Sequence, residues 1–249
     1  MTLMLLVISV LTLMLGLCVV IALVIALVSA LKMRSEFPPE ELQWLLRVLV
    51  RREVQESLLV TLFEEYRDGV LRTGGRLRAN AWYIARVVGL LSRATWPWAL
   101  AIATTFIVRD VLNTTRPTAF GAQTEQIFMA VTFSLYVLAG AYSGARTKAA
   151  TSGALVATTA HICGMIMLAT WWIAKSNWFF DVMRGNPYWV ADWGGRSAPA
   201  LQDRLFWDHV GGFFMGGALF SLIAFACGSV GGAIGSFLSS EWRPRAPAA

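Results

Sequence analysis

Charge is what this sequence has least of. Only 14% of its 249 residues are Asp, Glu, Lys or Arg, against about 25% in an ordinary soluble domain. A globule of this size cannot be kept in water by so little ionic surface, and a soluble fold is excluded. Cysteine is also sparse, at three residues. Cys18, Cys163 and Cys227 each sit inside an apolar run, with no CxxC spacing and no companion histidine. That excludes a disulfide framework and a zinc site and leaves them as small apolar packing residues. There are two histidines, and neither a P-loop nor a GxGxxG fingerprint occurs, so phosphate-loop and dinucleotide chemistry has no carrier.

What is present in quantity is apolar. Hydrophobic residues make up 57% of the chain and the mean hydropathy is +0.59. The sequence reads as an all-α integral membrane protein of about five transmembrane helices. Spans are expected at about Leu3–Leu31, Thr95–Leu112, Gln126–Ala145, Thr151–Ala174 and His209–Leu238. The first is too long for a signal-peptide core, and no positive charge precedes it. Leu17 occupies the position where a lipoprotein cleavage box at Cys18 needs a small residue. The run therefore reads as a retained helix. The formal charge of +6 is used for orientation and lipid contact, and no nucleic-acid partner is expected.

The basic residues fix the orientation. Lys32 and Arg34 follow the first span, Arg76, Arg78, Arg86 and Arg93 precede the second, Arg146 and Lys148 join the third to the fourth, and Arg243 and Arg245 follow the fifth. Five spans put all of them on one side, the cytoplasm, with the N-terminus outside. The domains read as 1–32, an N-terminal transmembrane helix, and 33–94, a cytoplasmic amphipathic helical module. Then follow 95–240, a four-helix transmembrane bundle with an aromatic-rich outer loop at 175–208, and 241–249, a cytoplasmic tail.

The module starts at Pro38–Pro39, with Glu40 and Glu41 suited to a helix N-terminus. Leu42, Leu45, Leu46 and Leu49 recur at helical spacing, and Leu58, Leu59, Leu62, Phe63 and Tyr66 form a second stripe. Gly69 and the pair Gly74–Gly75 read as stops, and a third helix begins near Arg76. The stretches "PPEELQWLLRVLV", "ESLLVTLFEEYRDG" and "ANAWYIARVVGLL" resemble the permease prefix domain, a small helical module ahead of some bacterial ABC-transporter permeases. The resemblance covers about residues 37–92. It implies a bacterial inner (cytoplasmic) membrane and a docking role. It carries no transport activity with it, because the usual "GDL" is "VTL" here and the permease's large extracytoplasmic domain has no counterpart.

Three constellations are candidates for function. In the fifth span, Gly212 and Gly216, Gly228 and Gly232, and Gly231 and Gly235 are each four apart, the spacing that lets helix backbones approach in lipid, within the chain or against another subunit. His161 lies near the middle of the fourth span, where a polar residue is a functional candidate by default. It is either satisfied locally by Thr158 and Thr159 or ligates a haem or chlorophyll-type pigment. His209 starts its span about ten residues away in depth, or ~15 Å, so the two histidines cannot sandwich one haem. In the outer loop, Trp178, Trp189, Trp193 and Trp207, with Arg184 and Arg196, form either an aromatic belt or a partner-contact surface. Ser143 with His161 faintly resembles a rhomboid-type serine–histidine pair, but Ser143 falls at the other end of its span.

The leading expectation is a non-catalytic accessory or assembly subunit of a larger bacterial inner-membrane complex; an energy-transducing one, respiratory or photosynthetic, would fit, and nothing in the sequence selects it. Its partners are other membrane-protein subunits and the lipid bilayer. A transport component and a pigment- or haem-binding subunit are the alternatives.

Overall fold

The computed structural model describes residues 38, 40–119, 121–192, 203, 207, 210, 211, 213 and 216–241. The expected first span, Gly212, Trp193, Arg196 and His209 lie outside the described residues. No strand occurs among the described residues.

Pro38 sets the first helix: Gln43 Nε2 donates to its carbonyl at 2.9 Å, and α1 runs Glu40–Leu49. The leucine stripe serves two surfaces. Leu46 is buried inside the module, whereas Leu49 packs on the core of the bundle. Helix α2, Arg52–Glu64, passes directly into a π-helical turn, Glu65–Leu71. Gly69 lies inside that turn and does not end a helix, contrary to the sequence expectation. The break comes at Gly75, whose φ of 72° and ψ of 173° are open to glycine and costly for any other residue.

The π turn buries Tyr66, which donates from its hydroxyl to Asn80 Oδ1 at 2.7 Å and meets the Tyr83 ring edge-on at 5.9 Å. Leu46, Leu62, Ala79 and Val87 close this small core. A buried tyrosine and asparagine that satisfy each other avoid the penalty of an unpaired polar group, typically about 1–3 kcal/mol.

The third module helix and the expected second span are a single helix, α3, Arg72–Thr115. After Gly75 it runs unbroken through Pro97. The change in composition at residues 94–95 is therefore a change of surroundings along one rod. Pro97 stays within the helix, and Thr95 Oγ1 donates back to the Leu91 carbonyl at 2.9 Å beside it.

Helix α4 is Ala122–Thr147, α5 is Ala150–Arg184, the short α6 is Pro187–Asp192, and α7 is Gly217–Glu241. Among the described residues, three stretches are long and apolar enough to cross a membrane: Ala122–Thr147, Ala150–Ile173 and Gly217–Ser239. They mark the chain as an all-helical membrane protein. The fourth expected span continues as one helix to Arg184, so the first ten positions of the expected outer loop are helical. The fifth is continuous over Gly217–Glu241, and Val210, Gly211, Phe213 and Gly216 ahead of it are helical as well.

The second half of α3 lies among these helices. Ala99 and Ile102 from α3, Tyr136 and Ala139 from α4, Val156, Ala157 and Ala160 from α5, and Ala224 from α7 form the core. The core is made of small side chains because the backbones nearly touch. A methyl group on Gly228 would lie 2.6 Å from Ala157 Cβ and 2.7 Å from the Gly153 carbonyl, and one on Gly232 would lie 2.5 Å from the Ala150 carbonyl. On the other side, Gly228 and Gly232 back onto Gly140 and Gly144 of α4, while Gly231 and Gly235 face the carbonyls of Val137 and Ala141. In lipid this contact, rather than hydrophobic burial, holds helices together.

Candidate functional site

Polar groups inside the bundle fall at three levels. At the module end, Ser143 Oγ donates to Ser152 Oγ at 3.0 Å, and Thr147 Oγ1 meets the same oxygen at 2.5 Å. This cluster closes the α4–α5 turn, whose Lys148 takes a left-handed conformation with φ 59°. The Lys148 ammonium reaches Glu53 of α2 at 2.6 Å. That hydrogen bond, more than the charge alone, holds the Glu53 carboxyl below the usual carboxylate range. The basic loop and the helical module therefore meet at the same end of the bundle.

At the middle level His161 is fully buried. Its Nδ1 shares a proton with the Tyr136 hydroxyl at 2.8 Å, and its ring stacks on Phe220 at 6.1 Å. Nε2 has no hydrogen-bond partner among the described residues. Thr158 does not satisfy the ring: its own hydroxyl has no hydrogen-bond partner either. The partner is Tyr136, 25 positions away on α4. The Tyr136 ring meets the imidazole edge-on at 5.6 Å, and the Phe220 ring lies nearly parallel to it.

At the far end an open cleft of about 400 Å³ separates α3, α4, α5 and the start of α7. Phe106, Met129, Met165, Leu168 and Phe220 make its apolar wall. Its polar rim is a linked set. Arg109 is bidentate to Glu125, with Nη2 to Oε1 at 2.8 Å and Nε to Oε2 at 2.9 Å, and also donates to Asp110 at 3.2 Å. Trp172 Nε1 donates to Asp110 at 2.5 Å. This set clamps α3, α4 and α5 together away from the module. Its residues were not singled out from the sequence. The available signal was an Arg–Asp pair at one span end facing a lone glutamate at the start of the next.

The remaining predicted residues separate. Gly228, Gly231, Gly232 and Gly235 pack against α4 and α5, whereas Gly216 lines the cleft, with open space where a side chain would go. Trp189 donates to the Thr114 carbonyl at 3.1 Å and so ties α6 to α3. Trp178 and Trp207 are exposed. Arg184 pairs with Asp181 at 3.4 Å and lies over the Phe180 ring. Ser143 and His161 are not brought together, because each is engaged by a different partner.

Among the described residues no three His, Cys, Asp or Glu side chains gather as metal ligands. No protein-family model, curated protein or solved structure matches this chain.

Proposed function

We propose that this chain is a five-span, N-out membrane protein that serves as a non-catalytic accessory or assembly subunit of a larger complex of the bacterial inner membrane. One observation carries the reading: the extramembrane module is fastened to the bundle yet leaves large apolar side chains uncovered. Trp44 is 56% exposed and Leu77 72% exposed, with Val54 and Val60 also bare. Apolar area of this kind outside the bilayer is what a partner covers, and tryptophan is a favoured anchor of such contacts. The junction of Lys148 with Glu53, together with Leu49 on the bundle core, gives the module a fixed attitude from which to dock. The helical module's resemblance to the permease prefix domain agrees with a docking role.

The experiment is a photo-crosslinking residue placed at Trp44 or Leu77 in native membranes. The reading predicts one heterologous protein adduct of defined mass at both positions. Adducts to lipid alone, or to a second copy of the chain alone, would contradict it.

A further inference from the structure

Helix α3 is more one-sided than the module as a whole. From Arg72 to Arg109 it contains no acidic residue, while Arg72, Arg76, Arg78, Arg86 and Arg93 all fall on its module half. Arg86, Gly89 and Arg93, at i, i+3 and i+7, share one exposed face. Among the described residues neither Arg86 nor Arg93 has a carboxylate partner. The Arg86 guanidinium lies over the Trp82 ring at 5.3 Å. A methyl group on Gly89 would meet nothing within 4 Å, so the helix surface between the two arginines is bare.

The depth of this face follows from its neighbours. Trp98 packs on Tyr142 at 6.2 Å, and Arg146 reaches the Tyr142 hydroxyl at 3.4 Å, just before α4 ends at Thr147. Trp98 therefore marks the module end of the apolar bundle. Arg93 lies five residues nearer the module, about 7.5 Å along the helix, where headgroups begin. Beyond Arg93 the same face turns apolar, with Trp96 and Leu100 both exposed. Tryptophan at the boundary, arginine outside it and leucine within is the order in which a bilayer sorts side chains.

We propose that the α3 face formed by Arg86, Gly89 and Arg93 binds the phosphate headgroup of an anionic phospholipid in the leaflet adjoining the module, with the acyl chains lying along Trp96 and Leu100. Arg93 faces the glycine gap directly, while the Arg86 charge, carried over the Trp82 ring on the far side of the gap, adds to the positive field at the phosphate. This site is separate from the partner surface around Trp44 and Leu77.

The test uses the full chain purified in dodecyl maltoside and native mass spectrometry with added phosphatidylglycerol or phosphatidylcholine of matched chains. The wild type retains phosphatidylglycerol preferentially. Each arginine near a membrane surface contributes roughly fivefold to anionic-lipid binding, so R86Q/R93Q loses most of that preference, whereas R86K/R93K and Arg184→Gln keep it. Gly89→Glu, which places an acid in the bare gap, abolishes it. Wild-type preference in both R86Q/R93Q and Gly89→Glu overturns the proposal. So does displacement of the lipid by equimolar soluble glycerol phosphate, which would mean that the acyl chains play no part.

Discussion

Glu53 and Lys148 lie 95 positions apart in sequence and 2.6 Å apart in space. That contact joins a module made from one part of the chain to the turn between two membrane helices. It gives the module one attitude toward the bilayer.

The first prediction concerns that junction. Glu53→Gln and Lys148→Gln each loosen the module, read as faster proteolysis between α1 and α2, and the double variant adds little to either single one. The Lys148 hydrogen bond holds the Glu53 carboxyl below the usual carboxylate range. A depressed carboxylate stabilises above the unfolded value and loses that contribution as pH falls through the folded value. The Tm difference between wild type and Glu53→Gln should therefore be present at pH 7 and vanish below the pH at which Glu53 takes up its proton.

The module core responds at the opposite end of the pH scale. Burial raises the Tyr66 hydroxyl above its usual value and pushes Tyr83 up to about 12. Both groups resist ionisation when folded. In the unfolded chain they lose their protons near pH 10, so stability is full below that pH and falls between about pH 10 and pH 12. An ultraviolet titration should show tyrosines ionising late, and Tyr83→Phe should flatten the alkaline loss. Tyr66→Phe strands the Asn80 side chain and should cost about 1–3 kcal/mol at neutral pH.

Glycine contacts make a sharper contrast. Gly232→Leu drives a side chain into the Ala150 backbone, which is 2.5 Å from where its Cβ would sit. Overpacking of this kind costs about 1–3 kcal/mol or more and should appear as aggregation in detergent. Gly69→Ala, in open space within a helical turn, should be neutral or stabilising.

The glycine stripe shows what was legible in the sequence and what was not. Its α7 half was visible as a spacing of four. Its partners Gly140 and Gly144 carry the same spacing of four on α4, whereas Gly153 stands alone, and which glycine meets which is explained only by the facing backbone. Tyr136 was missed as the partner of His161 for a related reason, since local threonines were the near choices and tertiary packing supplied a distant one. The leucine stripe of α1 was plain, but that Leu49 leaves the module to meet the bundle could not be read from periodicity. The unity of α3 was hidden because hydropathy reports surroundings, whereas backbone continuity depends on the absence of a stop. Of the glycines expected to act as stops, only Gly75 has the dihedral angles of one.

For His161 the expectation is structural. Tyr136→Phe removes the hydrogen-bond partner of a buried imidazole and should destabilise by about 1–3 kcal/mol, seen as a lower Tm in detergent. The purified protein should carry no visible absorption band. A Soret or chlorophyll-type band that disappears in His161→Ala would reverse this reading.

The most direct measurement for the account as a whole is the native mass of the protein released from its own membrane in a mild detergent. A docking subunit migrates in a larger heteromeric assembly of fixed stoichiometry, and the Trp44→Glu/Leu77→Glu variant is released from it while keeping its own Tm. A wild-type protein found only as a monomer or a simple homodimer would contradict the central claim.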